Sequence, residues 1–482
     1  MKCRLVFLFS ILFSISAFAQ HEIREKLYSR ILRDTVYYHV MVPENRDTAE
    51  RLPVLYAMKY GMIDGPYIAS QLRYFRSAGY PVLNMLVVTV VADMDRIGFV
   101  YNTGLLTAPG LQFLDCLKNE IFADVQRKYN ASDFRAYVGH SYAASYANYI
   151  FQHEPDMFNG YILLAPEKAG MDAALDEKAI RNNRETFYYA AVGEFDMERR
   201  HAYAKENCNK LTAFNKGRFF IKYDSIPRGD HSNILTMAIQ PGLEFISQRY
   251  DPHADIDPGK NAWEGFLRVA ARVETAYGIR VEKNYRWYSR FAQLAIQQKD
   301  SVSLVKLLDY FNSDKLKGYD TRNFGDYCVQ LGLLKRAEQY YRSTIQKTLA
   351  IKEREGWEAF TLIDCYRALA VNIEKNDHEK AWEYLQKALQ YGGKNVDIYF
   401  LVGTYAVDNA YNVQKGVEYL LQYLRLRKDI IDDIHWSYEK IYTKLGKGYY
   451  LLKDAVNARL YLQKSLVINP ENREAKELLV KL

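Results

Sequence analysis

The stretch RAYVGHSYAASYA, residues 135–147, decides how the first half of this chain folds. A mostly apolar run from Phe134 to Val138 meets a tight Gly139-His140-Ser141 turn, and small residues then follow at helical spacing. This order predicts a strand, a sharp elbow and a helix. A serine at the tip of such an elbow exposes its hydroxyl, and the first amide of the helix points at whatever the hydroxyl attacks. Ser141 is therefore the candidate nucleophile.

The elbow meets two of the three fixed positions of the G-x-S-x-G motif, because Gly139 and Ser141 are present and Ala143 stands in the last position. A G-x-S triplet alone arises easily by chance, so the surrounding strand and helix carry the interpretation. The alternative is an ordinary buried turn. Between the two motif residues, His140 is expected to point away from the serine's side and to have a structural role.

Apolar strand patterns and amphipathic helix patterns alternate along the first half of the chain. After an N-terminal hairpin at 26–42, strands are predicted at 53–58, 84–92, 134–138, 161–165, 186–192 and 218–223, and helices at 66–78, 108–129, 142–151, 196–214 and 234–248. This alternation predicts an α/β fold with a mostly parallel sheet and crossover helices on both faces. Functional loops of such a sheet cluster at the carboxyl ends of its strands.

A serine nucleophile needs a base, and the base needs an orienting acid. Of the nine histidines, His231 is the one in the loop between the last predicted strand and the last helix of this half. Asp196 follows the strand at 186–192 and is the preferred acid, with Glu194 as the alternative. In simpler interpretations, Asp196 is a helix N-cap and His231 is a loop histidine beside Asp230. The order serine, acid, histidine is that of the α/β-hydrolases.

Several segments of the first half share one resemblance. They are LPVLYAM at 52–58, DMDR at 93–96, FLDCLKNEI at 113–121, GHS at 139–141, PDMF at 155–158 and GDH at 229–231. Together they resemble the esterase family of α/β-hydrolases that includes esterase D-type, siderophore and feruloyl esterases. The resemblance implies acyl transfer on a small ester substrate without a cofactor or metal: Ser141 attacks the carbonyl, His231 is the general base, and Asp196 holds the imidazole.

The resemblance also places the oxyanion hole. One donor is the Tyr142 amide, and the second comes from the loop after the strand at 53–58. In that loop Lys59 and Tyr60 stand where the family often has an Asp-Gly pair, so the amide of either residue is the candidate. Losing one oxyanion donor costs ~100- to 1000-fold in rate. The second hypothesis is therefore a catalytically degenerate hydrolase that acts as a binding or scaffold protein through the second half of the chain.

The second half, from residue 261 to 482, shows a helical pattern with a repeat. The spacings of a 34-residue tetratricopeptide unit are met by Tyr442, Leu445, Gly446, Tyr449, Ala458, Leu462, Ser465 and Pro470. Looser copies surround Gly325, Ala381 and Gly416. The resemblance to tetratricopeptide repeats implies an all-α solenoid whose groove binds a protein or peptide partner. Alternatively, these helices serve only for packing.

The N-terminus predicts export. Lys2 and Arg4 precede an apolar run at residues 5–15, and Ala17-Phe18-Ala19 is a small-x-small cleavage site. We therefore expect a signal peptide at 1–19, cleaved after Ala19, and a periplasmic or secreted protein. The predicted domains are the hydrolase at 20–250, a breaker-rich linker at 251–260, and the helical repeats at 261–482.

Composition excludes several other classes of function. The net charge of +7 is spread over 482 residues, which indicates neither nucleic-acid binding nor a membrane patch, and no later stretch could span a membrane. Cys116, Cys208, Cys328 and Cys365 lie far apart without a C-x-x-C pair, so they carry no metal or redox signature. The sequence does not indicate an oligomeric state.

Overall fold

The protein is represented by a computed structural model. It describes residues 22–44, 48–100, 102–168, 185–213, 219–253, 260–313, 316–354, 356–392, 396–427 and 437–482. The predicted signal peptide lies outside these ranges. Contacts divide the chain into two compact units: the first runs to Asp257 and includes Leu267–Val281, and the second holds Pro258–Phe266 and Glu282–Leu482.

The first unit contains a mostly parallel sheet. Its strands are β1 Glu22–Ser29, β2 Asp34–Met41, β3 Leu52–Met58, β4 Leu86–Val91, β7 Ala131–His140, β8 Gly160–Leu164, β9 Thr186–Gly193 and β10 Phe219–Ile226. A separate two-stranded sheet is formed by β5 Phe99–Val100 and β6 Leu105–Leu106. The sheet order is β1-β2-β4-β3-β7-β8-β9-β10. Strands β3, β4 and β7 to β10 run parallel, and the β1–β2 hairpin pairs antiparallel at one edge.

Helices of the first unit connect these parallel strands. They are α1 Gly65–Ser77, α2 Met94–Ile97, α3 Ala108–Cys116, α4 Phe122–Tyr129, α5 Tyr142–His153, α6 Glu198–Ala213 and α7 Ile234–Ile246. A short π-helix at Leu117–Ile121 joins α3 to α4. The strand β9, TFYYAAVG, is buried along its whole length, as expected for a strand covered on both faces. The alternation confirms the predicted α/β-hydrolase fold class.

This topology gathers the loops that follow β7, β9 and β10. Neighbouring parallel strands end at the same edge of a sheet, and β7, β8, β9 and β10 are consecutive neighbours. The turns that carry Ser141, Asp196 and His231 therefore lie together at the carboxyl-terminal end of the parallel strands.

The second unit is built from helices. They are the first part of α8 Ala262–Tyr277, then α9 Tyr285–Gln297, α10 Ser301–Phe311, α11 Gly318–Gln330, α12 Leu334–Leu349, α13 Gly356–Ala368, α14 His378–Tyr391, α15 Asp397–Asp408, α16 Val413–Leu426, α17 Tyr438–Leu451, α18 Ala455–Ile468 and α19 Arg473–Val480. Successive helices pack in pairs, as in α11 with α12 and α17 with α18. Among the described residues of both units, no helix is long and apolar enough to cross a membrane.

The units divide between Asp257 and Pro258, within the predicted linker at 251–260, and a second division falls inside α8. The later part of that helix belongs to the first unit. The Tyr277 hydroxyl there donates to the carbonyl of Ile246 at 3.0 Å, and its ring lies 4.9 Å from that of Phe134. These contacts attach residues 267–281 to the sheet domain, and the remaining domain limits stay predictions.

Small residues lie at the helix contacts where the repeat pattern predicts them. A Cβ added to Gly446 would lie 2.6 Å from the Leu462 side chain, and one added to Gly325 would lie 2.5 Å from the Tyr341 ring. Ala458 is fully buried. These helices approach so closely that a larger residue would push them apart.

Replacing Gly446 by Ala should lower the free energy of unfolding of the helical unit relative to the matched change Gly265→Ala. Both glycines lie inside helices, so both variants gain about 1 kcal/mol of helix propensity. A Cβ at Gly265 would have its nearest neighbour, Phe291, at 4.0 Å, whereas the clash at Gly446 should cost about 1–3 kcal/mol. Urea unfolding followed by circular dichroism measures the difference. Equal shifts of the two midpoints would contradict the close contact.

Candidate active site

The elbow places Ser141 between β7 and α5 in an unusual backbone conformation. Its φ is 56° and its ψ is −119°, a region that costs a non-glycine residue of the order of 1–3 kcal/mol. Gly139 makes the turn sterically feasible, because a Cβ there would lie 2.7 Å from the Ala143 carbonyl oxygen. Ala143 itself is buried in the place of the last motif glycine. The strained serine and the required glycine are features of a nucleophile elbow.

Asp196 and His231 form a hydrogen-bonded pair. The His231 Nδ1 lies 2.9 Å from the Asp196 Oδ2, and the Asp196 side chain is only 2% exposed. The other carboxylate oxygen accepts hydrogen bonds from the Met197 amide at 2.7 Å and from Arg200 at 2.6 Å. Burial raises the pKa of Asp196, but the hydrogen bonds from His231, Met197 and Arg200 outweigh it and hold the pKa below the usual value. The carboxylate is therefore ionised at neutral pH.

A close backbone approach brings the acid turn and the histidine loop together. A Cβ on Gly193 would lie 2.5 Å from the carbonyl carbon of Gly229, so no side chain fits there. The Phe195 amide donates to the Gly229 carbonyl at 2.8 Å, and the Glu194 amide donates to the Ile226 carbonyl at 2.9 Å. These contacts fix the position of Asp196 relative to His231.

Glu194, the alternative acid, has a different role in the structure. Its carboxylate accepts a hydrogen bond from the Arg228 amide at 2.8 Å, and so it stabilises the turn before the histidine loop. The geometry therefore favours Asp196 as the partner of His231. Among the hydrogen bonds of the described residues, none joins the Ser141 hydroxyl to the His231 ring. The structure thus forms the acid–histidine contact and leaves the serine–histidine contact open.

His140 lies closer to the site than the sequence interpretation suggested. Its side chain was expected to point away, but its ring lies 4.5 Å from the His231 ring, and its Nε2 donates to the His231 carbonyl at 2.8 Å. The residue is 3% exposed, and its Nδ1 has no hydrogen-bond partner. Burial, with His231 and Arg200 nearby, lowers the pKa of His140 to about 4. A neutral His140 therefore supports the loop that carries the base.

The structure corrects the predicted second oxyanion donor. The Lys59 amide donates to the Val90 carbonyl at 2.9 Å, which extends the sheet pairing, and the Tyr60 amide donates to the Met58 carbonyl at 2.7 Å. Both candidate amides are therefore engaged. The next amides in this loop, of Gly61 and Met62, have no hydrogen-bond partner among the described residues. Gly61 has a φ of 62°, and a Cβ there would lie 3.1 Å from the His140 Nδ1, so this part of the loop borders the elbow.

Tyr142, the other predicted oxyanion residue, is the first residue of α5 and directly follows Ser141. Its amide is thus at the N-terminal end of a helix, where the helix dipole favours negative charge. Its ring contacts Tyr60 at 5.9 Å and Phe99 at 5.2 Å between ring centres. These three rings form an aromatic cluster next to the start of α5.

Sequence reasoning did not identify Arg200 and Glu167. Arg200 donates to Asp196 and also to Glu167, at 3.0 Å, and both of its partners are largely buried. The one available signal was the spacing of Asp196 and Arg200, since residues four apart on a helix lie side by side. Among the described residues, no group of three or more His, Cys, Asp or Glu side chains could hold a metal ion.

These elements define a class: an α/β-hydrolase fold with a strained elbow serine and a buried acid that is hydrogen-bonded to a partly exposed histidine. No protein-family model matches the chain, and no curated protein matches it. Among solved structures it is similar to an uncharacterised protein from Capnocytophaga ochracea, with a TM-score of 0.52 at 16% identity over 68% of this chain and 94% of that one. This likeness supports the fold.

Two further structures share less of the chain. An IroE-like serine hydrolase from Shewanella oneidensis has a TM-score of 0.48 at 16% identity, covering 61% of this chain and 100% of that one. The siderophore hydrolase EstA from Aspergillus nidulans has a TM-score of 0.40 at 15% identity, covering 51% of this chain and 99% of that one.

The buried His140 should make the protein less stable in mild acid. Its pKa of about 4 lies below the ordinary value of 6.5, so the unfolded chain binds the extra proton first as the pH falls. The contribution of neutral His140 to the free energy of unfolding is complete above pH 6.5. Up to about 3 kcal/mol of it is lost as the pH falls to 4. Urea unfolding between these pH values measures the loss.

The variant His140→Gln should remove this part of the pH dependence, because glutamine can still donate to the His231 carbonyl but does not titrate. If His140→Gln and wild type have the same slope, protonation of His140 does not control acid stability.

Proposed function

We propose that the protein is an exported serine carboxyl-ester hydrolase that works by Ser-His-Asp acyl transfer. The observation that carries the proposal is the contact of the buried Asp196 carboxylate with the partly exposed His231, 2.9 Å apart, at the end of the sheet where the strained elbow carries Ser141. The signal-peptide pattern of residues 1–19 supports export to the periplasm or beyond. The reaction class follows from the three side chains and their order in the chain.

In the proposed reaction, the Ser141 hydroxyl attacks the ester carbonyl while His231 Nε2 takes its proton. Asp196 accepts the hydrogen bond of Nδ1–H and stabilises the imidazolium that forms. The imidazolium then gives the proton to the departing alcohol, which leaves an acyl group on Ser141. Water, activated by the same His231, releases the carboxylic acid and restores the enzyme.

The oxyanion that forms in each step needs two preorganised donors. We assign one to the Tyr142 amide at the start of α5. For the second we replace Lys59 and Tyr60 by the Gly61 or Met62 amide, because the first two amides already donate within the sheet and the loop. Closure of the serine–histidine contact is expected when substrate binds, since such contacts are often long without it.

The substrate proposed for this site is a small ester with an apolar group. Tyr142 of the aromatic cluster directly follows Ser141 in the chain, and its ring pairs with that of Tyr60 on the loop after β3. Phe195 and Met197, which flank Asp196 in the sequence, are 69% and 50% exposed. Large exposed apolar side chains close to a polar site commonly contact the apolar part of a ligand.

A second candidate function is binding of a protein or peptide partner by the helical unit, with a hydrolase domain that has lost activity. A pocket of about 720 Å³ within that unit favours it. Its lining includes Tyr319, Trp357 and Phe360, and Trp357 is 78% exposed. Tetratricopeptide-like solenoids use such grooves for partners, and this part of the proposal is independent of Ser141.

Labelling with a fluorophosphonate probe tests the first proposal. The wild type should react covalently and hydrolyse an aryl ester, whereas Ser141→Ala should not be labelled and should lose at least about a thousandfold in kcat/KM. The matched control is Ser232→Ala, at the exposed serine next to His231, which should keep both activities.

Two outcomes would contradict the esterase proposal. One is a well-folded wild type that neither reacts with the probe nor hydrolyses aryl esters, which would favour the binding function. The other is labelling that persists in Ser141→Ala, which would place the reactive residue elsewhere.

A further inference from the structure

Arg200 connects the catalytic acid to a second buried carboxylate. Its side chain is 8% exposed and extends from α6, one turn after Asp196. One terminal nitrogen lies 2.6 Å from Asp196 Oδ1, and the other lies 3.0 Å from Glu167 Oε2, whose side chain is 12% exposed. An arginine fork held between two largely buried carboxylates has little rotational freedom.

Glu167 is itself anchored to the helix that follows the nucleophile. The Ser145 hydroxyl donates to the Glu167 carbonyl at 2.7 Å and accepts from the Glu167 amide at 3.0 Å. Ser145 is 2% exposed and lies one turn after Ser141 on α5, where its amide donates to the Ser141 carbonyl at 3.1 Å. A continuous chain of contacts therefore runs from the nucleophile through Ser145, Glu167 and Arg200 to Asp196.

The position of Arg200 bears on which nitrogen of His231 carries a proton. The Arg200 nitrogen that donates to Asp196 Oδ1 also lies 2.9 Å from His231 Nδ1. If Nδ1 carries the proton, it donates to Asp196 Oδ2 and leaves Nε2 free as a base. If Nδ1 instead accepted from Arg200, the proton would be on Nε2 and the ring could not accept the serine proton. In the first arrangement Arg200 donates to Oδ1 and to Glu167 while Nδ1–H donates to Oδ2, so both carboxylate oxygens of Asp196 are paired.

Arg200 also places a positive charge beside the base. Within the described part of the chain, the charged or titratable groups that face the His231 ring are Asp196 and Arg200 from the region after β9 and His140 from β7. Asp196 favours the protonated ring, whereas Arg200 opposes it. Glu167 offsets part of the arginine charge from the far side.

We propose that Arg200 is a positioning residue: it reserves Asp196 Oδ2 for His231 by occupying Oδ1, and it holds a positive charge 2.9 Å from the His231 Nδ1. Glu167 holds Arg200 in this place and links it to the nucleophile helix. The consequences for catalysis rest on the proposed esterase function. The effect on the His231 ring does not, because it concerns only protonation of the folded protein.

Nuclear magnetic resonance of protein labelled with ¹⁵N and ¹³C in its histidine rings tests the proposal, with His231 assigned by the variant His231→Asn. In the wild type, the neutral His231 ring should carry its proton on Nδ1. In Arg200→Met, loss of the nearby cation favours the protonated ring, so the titration midpoint of His231 should rise by about one pH unit or more. The acid limb of kcat/KM on an aryl ester should move up equally.

Two further variants distinguish the effects of the charge and the geometry of Arg200 from a nonspecific disturbance of the site. Arg200→Lys keeps the charge but replaces the planar fork by a single nitrogen on a shorter side chain, which cannot reproduce the separate contacts with Asp196 Oδ1 and Glu167. The His231 midpoint should therefore stay near that of the wild type while kcat falls at least tenfold with little change in KM. Arg199→Met is the matched control, because Arg199 is 64% exposed and pairs with Glu167 at 2.5 Å, and among the described residues it makes no ion pair with Asp196 or His231. It should leave the midpoint and kcat unchanged.

An unchanged His231 midpoint in Arg200→Met would overturn the proposal, as would a wild-type ring with its proton on Nε2. If Arg200→Met does not fold, the same measurement is made on the double variant Glu167→Gln/Arg200→Met. Its His231 titration midpoint should be higher than that of Glu167→Gln. If the His231 titration midpoint depends on Arg200 but the protein does not hydrolyse esters, this inference is supported and the esterase function is refuted.

Discussion

The candidate active site depends on one buried carboxylate that must remain charged. The Asp196 side chain is 2% exposed, and burial alone would favour its neutral form. Three donors, from His231, Met197 and Arg200, reverse that preference and keep its pKa low. A charge in such a place is stable only while every donor holds its position, so the acid turn, the histidine loop and the start of α6 form one cooperative unit.

The parallel sheet provides the rigid frame for that unit. Strands β7 to β10 are consecutive neighbours, so the loops after them emerge along one edge. Gly193 approaches Gly229 so closely that a side chain would not fit, and Gly139 has the same relation to Ala143. The strained backbone of Ser141 persists because the buried strand before it and the helix after it fix both ends of the turn.

Much of this fold follows from sequence patterns. The elbow, the buried strands and the long helix before the elbow have strong periodicity, and the turn after β9 singled out Asp196 and Glu194 as acids. The choice between the two depends on which side chain turns toward His231. The backbone contacts of the acid turn with the histidine loop decide that choice, and spacing along the chain does not encode them.

The missed features share a physical cause, because all depend on contacts between distant segments. The orientation of His140 is set by its bond to the His231 carbonyl, 91 residues further along the chain. The engagement of the Lys59 amide is set by Val90 on the neighbouring strand. Arg200 gained its role through Glu167, which lies in a loop without any motif, and α8 is divided because Tyr277 packs on Phe134. Local propensity contains no information about such pairings.

The most direct test of the central claim is a crystal structure of the protein after reaction with a fluorophosphonate. The account predicts a phosphorus atom bonded to the Ser141 oxygen, with its phosphonyl oxygen within hydrogen-bond distance of the Tyr142 amide and of the Gly61 or Met62 amide. The His231 Nε2 should face the adduct while Nδ1 stays on Asp196. An unmodified Ser141 with the probe bonded to another residue would contradict the account.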